Sequence, residues 1–359
     1  MVNVRHAIVP PAAPVGRQMD DKPQHGATCA STRGHGVKEQ LAARYKRFAE
    51  VEVRNHSPLY ASISFGVATD PFALEFLGAL PEEKQQPNLL LAAVRHVCGS
   101  AQDWPQFRAM LRNNAPAVAA VMLARRTQTN EPGRCATLLP VLAGLPQPLA
   151  LLEVGASGGL CLLPDRYGYD YGRSRIAAPS ADAPVFACVA DVATPLPATL
   201  PRIVWRMGID LAPLDVTDDA QTEWLETLVW PGQEDRLRRL RAAIAVARRD
   251  PPRIMRGDLL TELKACAREA PADATLVVFH SAVLAYVANT QSREAFVRTV
   301  QELGAVWISN EAPGVWPAIR DCVGRRGPRG AFLLAVDGRP VAWTDAHGAW
   351  IEWIEEEAQ

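Results

Sequence analysis

The spacing of apolar side chains changes near residue 147. From residue 37 to about residue 144, apolar positions such as Leu41, Tyr45 and Phe48 recur at helical spacing. Beyond that point, short apolar runs that end in polar residues alternate with helical segments. This alternation is typical of a mostly parallel sheet with helices on both faces. We therefore predict an α/β domain over residues 147–356, preceded by an all-α domain over residues 37–146.

Three further segments complete the predicted organisation. Residues 1–36 contain several prolines and glycines without apolar periodicity, which predicts a disordered tail. Tyr167, Tyr169 and Tyr171 alternate with polar residues and predict a β-arm inserted over residues 165–200. Two apolar runs flanking Asp337-Gly338 predict a C-terminal antiparallel hairpin.

A glycine-rich loop follows the first predicted strand. Gly155, Gly158 and Gly159 come directly after the apolar run Leu149–Val154, which predicts a buried strand, a tight turn and a helix. Such a turn lets backbone N–H groups approach a ligand, and the helix start adds partial positive charge. The dinucleotide pattern G-x-G-x-x-G fits poorly, because Ser157 occupies its second glycine position.

Two other patterns fit the loop. The nucleophile elbow G-x-S-x-G matches letter for letter, with Ser157 as the nucleophile. The pattern E-x-G-x-G-x-G of class I methyltransferases, which use S-adenosylmethionine (SAM), matches with Glu153 as its acid and one Gly-to-Ser change. The loop alone does not decide between these readings.

Polar residues end each predicted strand, and in open α/β sheets ligands bind at the carboxyl ends of the strands. An acid after the second strand would bind ribose hydroxyls, with Asp210 preferred to Asp170. A Gly-Asp pair after the third strand would face adenine. This order favours the methyltransferase, and the predicted SAM-binding residues are Glu153, Gly155, Ala156, Ser157, Gly158, Gly159, Asp210, Leu211, Gly257, Asp258, His280 and Ser281.

Catalytic and acceptor-binding candidates lie at strand ends and in the helical domain. His280 closes an apolar strand and is the expected general base, since histidine titrates near neutrality. Glu311 is the second catalytic candidate and would help to hold the acceptor. Dense polar stretches between apolar helices predict an acceptor pocket or, alternatively, helix caps and interdomain hydrogen bonds. Their residues are His56, Tyr60, Asn88, Arg126, Gln128, Asn130, Glu131 and Arg134. The arginines of the helix around Arg236 are predicted to be solvated.

Composition narrows the partners. A net charge of −1 at pH 7 gives no general attraction to nucleic acid or anionic membranes. No apolar run approaches the roughly 20 residues of a membrane span, and the N-terminus shows no signal segment, so we expect a cytoplasmic protein. Seven cysteines without a C-x-x-C pair predict reduced thiols and no metal site. The expected partner is a small-molecule substrate; the oligomeric state is not predicted.

From about Tyr45 to Glu311 the chain resembles a bacterial family, domain of unknown function 2332. The matching segments are Tyr45–Phe48, His56–Tyr60, Gln86–Asn88, Thr127–Glu131, Glu153–Ser157, Gly208–Leu211, Trp230–Pro231, Gly257–Asp258, His280–Val283 and Ser309–Glu311. Gly158 and Cys161 depart from the family, which has alanine and asparagine there. The resemblance implies a methyltransferase-like, Rossmann-like core, and it supplies no reaction.

Three functions follow as hypotheses. The first is a SAM-dependent methyltransferase acting on a small molecule. The second is a non-catalytic module of the same fold that binds SAM or another nucleoside. The third is a serine hydrolase, in which Ser157 would need His280 or His347 as base, with Asp258 or Asp337. Against the hydrolase, the nucleophile elbow normally follows several earlier strands, and none is predicted before residue 147.

Overall fold

The computed structural model describes residues 29–54, 56–128, 130–287, 289–324 and 326–355. Most of the predicted tail, residues 1–28, lies outside the described residues. The first helix begins at Cys29, within the segment predicted as tail. In the described parts, no helix is both long and apolar enough to cross a membrane.

Helices alone make up the described regular structure before residue 149. They are α1 (Cys29–Arg47), α2 (Pro58–Thr69), α3 (Pro71–Gly78), α4 (Pro87–Cys98), α5 (Trp104–Asn113), α6 (Ala115–Ala124) and α7 (Cys135–Gly144), with a π-helical turn Phe48–Val53. Ser57, Asp70 and Asp103 cap α2, α3 and α5, each followed by a proline in the first helical turn. These caps satisfy N–H groups that a helix start leaves unpaired.

A nine-stranded, largely parallel sheet forms the centre of the molecule. The described residues form further strands outside this sheet, and all strands are numbered together in chain order. They are β1 (Leu149–Val154), β2 (Gly168–Asp170), β3 (Arg175–Ile176), β4 (Val185–Ala187), β5 (Val189–Ala190), β6 (Ile203–Asp210), β7 (Arg253–Arg256), β8 (Thr275–Ser281), β9 (Val306–Glu311), β10 (Phe332–Val336), β11 (Arg339–Thr344) and β12 (Trp350–Trp353). The sheet order is β5-β12-β11-β10-β9-β8-β1-β6-β7.

The direction of the strands changes at β9. The strands β7, β6, β1, β8 and β9 are parallel, whereas β10, β11 and β12 continue the sheet as an antiparallel meander. The predicted hairpin around Asp337-Gly338 is β10–β11. The predicted arm supplies a separate small sheet, β3-β2-β4, and the edge strand β5.

Helices cover both faces of the large sheet. They are α8 (Asp219–Thr227), α9 (Glu234–Arg249), α10 (Leu259–Ala267), α11 (Thr290–Glu302) and α12 (Pro317–Asp321). One face packs with α7, α9 and the arm, and the other packs with α10, α11 and α12. A third apolar core lies among α1–α6 and includes Trp224 of α8.

The predicted helix after the glycine loop does not form. Two short 3₁₀ turns, Leu160–Leu162 and Pro164–Arg166, follow instead. The physical reason is that Leu160–Leu163 are buried together, with no polar face to present to water, and Pro164 follows. Helix α9 packs on this segment, with Leu240 and Ala243 in the same core as Leu160. The loop therefore lacks the partial positive charge of an α-helix start.

Candidate functional site

The glycine loop is tied to the end of β6. Gly155 and Ala156 both donate their amides to the Ile209 carbonyl, at 2.8 and 3.2 Å. The Ser157 amide donates to Oδ2 of Asp210 at 2.8 Å. Asp210 thus accepts a hydrogen bond from the loop, and all three amides have acceptors within the chain.

The segment between α6 and α7 lies over the same loop. Asn130 donates from Nδ2 to the Ala156 carbonyl and accepts at Oδ1 from the Leu160 amide, both at 3.3 Å. Gln128 Nε2 donates to the Ala212 carbonyl at 2.7 Å. These hydrogen bonds join the helical part of the chain to the carboxyl edge of the sheet.

The glycines permit close packing rather than an open cradle. A Cβ on Gly155 would lie 2.3 Å from Cγ2 of Val283, and one on Gly159 would lie 2.8 Å from Cβ of Pro252. Both glycines have φ of +72°, which side chains rarely adopt. On Gly158 a Cβ would approach Nδ2 of Asn130 at 3.1 Å.

The ends of β6 and β7 form the open part of the edge. Asp210 is half-buried and accepts the Ala212 amide at Oδ1, whereas Asp258 is exposed and caps α10 through the Leu260 amide. Leu211 is 63% exposed. Two carboxylates and an exposed apolar side chain therefore lie together, beside the glycine loop.

Two further candidate residues, Gly257 and Asp170, lie in different parts of the structure. Gly257 joins the ends of β6 and β7, since its amide donates to the Asp210 carbonyl at 3.0 Å. Asp170, the second candidate for the ribose, lies in the small sheet, where its carboxylate accepts the Gly172 amide at 2.9 Å. It is a turn-capping residue of the arm.

His280 is fully buried, with 0% of its surface exposed. Its Nδ1 lies 2.7 Å from Oε1 of Glu311, and its Nε2 accepts the indole N–H of Trp307 at 2.9 Å. This pairing fits a neutral ring with the proton on Nδ1. Both ring nitrogens are occupied, so the geometry leaves neither for the predicted general-base role.

Glu311 fixes the turn after β8. Its Oε1 also accepts the Val283 and Leu284 amides, at 2.8 and 3.0 Å. Ala282 enters this turn with φ of +59°. Glu311 therefore holds Val283 against Gly155, and its observed contacts position the backbone.

Four buried polar atoms in and beside the loop have no hydrogen-bond partner among the described residues: Glu153 Oε2, Ser157 Oγ, Ser281 Oγ and Glu311 Oε2. Burial, with added repulsion from Cys161 and Asp210, raises the pKa of Glu153 well above its usual value. Ser157 has φ of +52°, a feature of a strained turn. Because no described histidine hydrogen bonds to its Oγ, the triad of the hydrolase hypothesis is not assembled.

A polar pocket of about 80 Å³, hereafter the recess, lies between α4, the segment that follows α6, and the helices α8 and α9. Its wall includes Asn88, Gln128, Asn130 and Glu131, which the sequence predicted. Its other lining residues are Thr127, Leu225, Leu228, Val229, Trp230, Arg236, Leu240 and His347. Four of the eight residues predicted to bind the methyl acceptor thus line one cavity.

Glu131 is the charged centre of the recess. Oε2 accepts Nε of Arg236 at 2.6 Å, and Oε1 accepts the Gly133 amide at 3.1 Å. Burial would raise the pKa of Glu131, but the Arg236 charge and His347 outweigh it and lower that pKa. The Nδ1 atom of His347 lies 3.7 Å from Oε2 of Glu131. Partial desolvation and the Arg236 charge lower the pKa of His347, whose side chain is 41% exposed, and this favours the neutral ring.

A wider cavity of about 660 Å³, the outer cleft, adjoins the recess, with which it shares Asn88 and Thr127. Its lining residues are Gln40, Ala43, Arg44, Arg47, Phe48, Glu52, Gln86, Pro87, Asn88, Thr127 and Tyr286. Tyr286 follows β8 and is 79% exposed. This volume lies within the roughly 300–1,000 Å³ typical of small-ligand sites.

The remaining predicted acceptor residues support these walls. The rings of His56 and Tyr60 pack beside Trp230, with centroids 6.4 and 6.5 Å from its own. Arg126 is exposed, and its carbonyl accepts the indole N–H of Trp224. Arg134 is buried and donates to the carbonyls of Ala346 and Ser281 at 2.8 and 3.1 Å.

Sequence reasoning missed Trp230, Arg236 and His347 as pocket residues. A signal existed for Trp230, since Trp230–Pro231 is one of the family segments. Arg236 was predicted to be solvated, which is wrong: it pairs with buried Glu131. Among the described residues, no group of three histidine, cysteine or acidic side chains could hold a metal ion.

Fold and site together define an α/β protein with a polar cavity between its helices and the carboxyl side of its sheet. The sequence model of the family described as "Uncharacterized protein conserved in bacteria (DUF2332)" matches residues 42–353. The chain belongs to this family. No curated protein matches it. A solved structure described as a possible exported protein from Bordetella parapertussis is similar at 13% identity and a TM-score of 0.28, over 81% of this chain and 77% of that one.

Proposed function

We propose that the chain is a SAM-dependent methyltransferase acting on a small molecule. The observation that carries the proposal is the pair Asp210 and Asp258 beside exposed Leu211, at the adjoining ends of β6 and β7. Because β6 pairs with β1, this group lies next to the glycine loop. The class I methyltransferase pattern has an acid for ribose after the second strand and a Gly-Asp pair facing adenine after the third, and Asp210 and Asp258 occupy these two places.

The nucleoside part of SAM fits these residues better than its amino-acid part. Asp258 is exposed, and the apolar Leu211 and Leu260 beside it offer a surface for a flat base. The loop amides of Gly155, Ala156 and Ser157 are already hydrogen-bonded within the chain. These three amides are therefore not free for a ligand, and the Ser157 hydroxyl is a loop donor that has no partner among the described residues. When bound, SAM would supply an electrophilic methyl group.

The chain's own contribution would be to bind and orient the acceptor. The outer cleft and the recess would hold the acceptor beside the sheet edge, and their walls would exclude water. Of the two histidines considered as bases, His347 lines this cavity and His280 is enclosed. In this proposal His347, whose Nδ1 lies 3.7 Å from Oε2 of Glu131, contacts the bound acceptor and helps to orient it.

Calorimetric titration of the full chain with SAM and S-adenosylhomocysteine, with NAD as a control, tests the cofactor assignment. We expect micromolar binding of the first two and none of NAD. The Asp258→Asn variant keeps the cap of α10, because asparagine also caps helices, but removes the charge that would face adenine. It should weaken binding about tenfold, or about 1.4 kcal/mol.

Asp103→Asn is the matched control, since Asp103 caps α5 in the same way, far along the chain from the proposed nucleoside site. This variant should bind like the wild type. Absence of binding by both SAM compounds would contradict the proposal. Unchanged affinity in Asp258→Asn would remove Asp258 from it.

A non-catalytic nucleoside-binding module is the second candidate. The internally bonded glycine loop favours it, because a loop whose Gly155, Ala156 and Ser157 amides already have acceptors within the chain holds the reactive end of SAM weakly. Incubation with radiolabelled SAM and candidate acceptors separates the two. Label transfer to any acceptor identifies an enzyme, whereas tight binding without transfer across an acceptor panel supports the module.

A further inference from the structure

We propose that the recess binds the carboxylate group of a small organic acid whose body lies in the outer cleft. The inference names the class of acceptor and, for that role, rests on the proposed methyltransferase. The binding claim itself depends only on the cavity. It follows from the hydrogen-bond donors, the charges and the dimensions of the two adjoining spaces.

The recess presents donors. Oδ1 of Asn88 accepts the indole N–H of Trp230 at 3.0 Å, so the Asn88 amide nitrogen is the group left for a ligand. Arg236 uses Nε for Glu131 and Nη1 for Gln233. Among the described residues nothing accepts a hydrogen bond from its Nη2. A guanidinium edge beside an amide N–H₂ suits the two oxygens of a carboxylate.

The charges around the recess also favour an anion. Both oxygens of Glu131 accept donors from the chain itself, Gly133 and Arg236. Arg134 adds a second guanidinium, which acts electrostatically on Glu131 and whose hydrogen-bond acceptors are carbonyl oxygens. The nearby acid Asp345 is turned to the backbone, where Oδ1 accepts the His347 amide. Two guanidinium groups thus accompany the single carboxylate that lines the recess.

The dimensions separate a head group from a body. The recess, at about 80 Å³, is much smaller than the outer cleft and suits a compact head group such as one carboxylate. The outer cleft is about 660 Å³ and offers Phe48, Pro87 and Tyr286 as apolar contacts. Shared lining by Asn88 and Thr127 lets one ligand occupy both spaces.

Matched pairs of ligands test the proposal by titration followed by NMR on the full chain. The probes are 3-phenylpropanoate and hexanoate, each against its primary amide, which has the same shape without the charge. We expect the acids to bind at least about tenfold more tightly than the amides. Equal affinity of acids and amides overturns the proposal, as does the absence of acid binding at about 10 mM.

Asn88→Asp is the decisive variant. Aspartate still offers an oxygen to Trp230, but it replaces the free amide nitrogen with a second oxygen and adds a negative charge. Affinity for both acids should fall by about tenfold or more, while the amides lose little. The matched control is Asn289→Asp, since Asn289 caps α11 with the same atom and is exposed. Unchanged acid affinity in Asn88→Asp overturns the proposal.

The two proposals fail separately, because SAM is absent from these titrations. Preference for acids without SAM binding would contradict the methyltransferase proposal and support the carboxylate site. SAM binding without preference for acids would do the reverse.

Discussion

Glu153 is a carboxyl group withdrawn from water without a complete set of partners. Its Oε2 is buried and has no hydrogen bond among the described residues, and Arg134 compensates only part of the cost. Burial therefore raises its pKa well above the usual value. The folded chain keeps a proton on Glu153 at pH values where the unfolded chain has lost it.

Glu153→Gln tests this consequence. Above the ordinary carboxyl pKa of about 4.3 the folded state binds the extra proton, so wild-type stability falls as pH rises toward the raised pKa. Glutamine does not titrate. The stability of the variant relative to wild type should therefore increase with pH, as measured by urea unfolding at about pH 4 and about pH 8. Glu302→Gln is the control, because Lys264 lowers the pKa of Glu302 and no such gain is expected. A pH-independent difference for Glu153→Gln would contradict the assignment.

Gly155→Ala separates the cost of crowding from that of backbone strain. Its new Cβ would meet Val283 at a position with φ of +72°, and we expect a loss of about 2–4 kcal/mol from overpacking and strain together. Gly172→Ala, with φ of +75° and nothing within 4 Å, should lose only about 1 kcal/mol. Adding Val283→Ala to Gly155→Ala should cost less than the two single changes summed, as measured by urea unfolding. Strict additivity would show that Val283 does not crowd this position.

Residue types were readable from the sequence, but their partners were not. The dense polar stretches predicted either a pocket or interdomain hydrogen bonds, and the structure shows features of both. Asn88, Gln128, Asn130 and Glu131 line one cavity, while Gln128 and Asn130 also donate to carbonyls beside the sheet. His280 looked like a base because it ends an apolar strand, yet Trp307 and Glu311 enclose it. Contacts such as Arg236 to Glu131 join residues that are distant in the chain, and local spacing does not encode them.

At the scale of elements, apolar runs predicted strands well and glycine spacing predicted the next helix poorly. The run Leu149–Val154 is β1, which is buried along its whole length, and the run ending at Asp210 is β6, since mostly apolar stretches of this length suit strands of a sheet covered by helices. The helix expected after Gly159 is replaced by 3₁₀ turns with α9 packed on them. That replacement depends on a helix some 75 residues later in the sequence, beyond any local pattern.

One ion pair joins the start of the arm to β6. Arg206 of β6 donates from Nη1 and Nη2 to the two carboxylate oxygens of Asp165, at 2.8 and 2.9 Å, and both side chains are largely buried. Asp165→Ala leaves the guanidinium unpaired and should cost about 3 kcal/mol in the free energy of unfolding. The double variant Asp165→Leu with Arg206→Met should lose much less, because it leaves no buried charge.

Urea unfolding of Asp165→Leu, Arg206→Met and the double variant gives the coupling energy between the two side chains. A value of about 1–3 kcal/mol is expected, with the Arg206→Met loss softened by Arg166, whose Nε lies 3.6 Å from Asp165. A coupling near zero would show that the pair does not hold the arm to β6.

Across the whole molecule, the helical part and the sheet share side chains. The core of α1–α6 includes buried Trp224 from α8, and Leu228 and Trp230 pack against it. The indole N–H of Trp224 donates to the Arg126 carbonyl at 2.9 Å. The apolar pattern correctly indicated helices before residue 147 and a parallel sheet after it. It did not reveal that residues beyond the sheet's first strand complete the helical core.

Trp224→Ala should therefore destabilise the whole chain, and not only α8. Removing a large buried ring costs about 3–5 kcal/mol, and here it also removes a hydrogen bond between the two parts. Because the core is shared, urea unfolding followed by tryptophan fluorescence and by far-UV circular dichroism should give coincident single transitions, shifted together in the variant. A fragment of residues 29–146 lacks Trp224, Leu228 and Trp230 and should show poorly dispersed amide signals by NMR. A well-dispersed spectrum from that fragment, or two separated transitions in the full chain, would instead make residues 37–146 an autonomous domain.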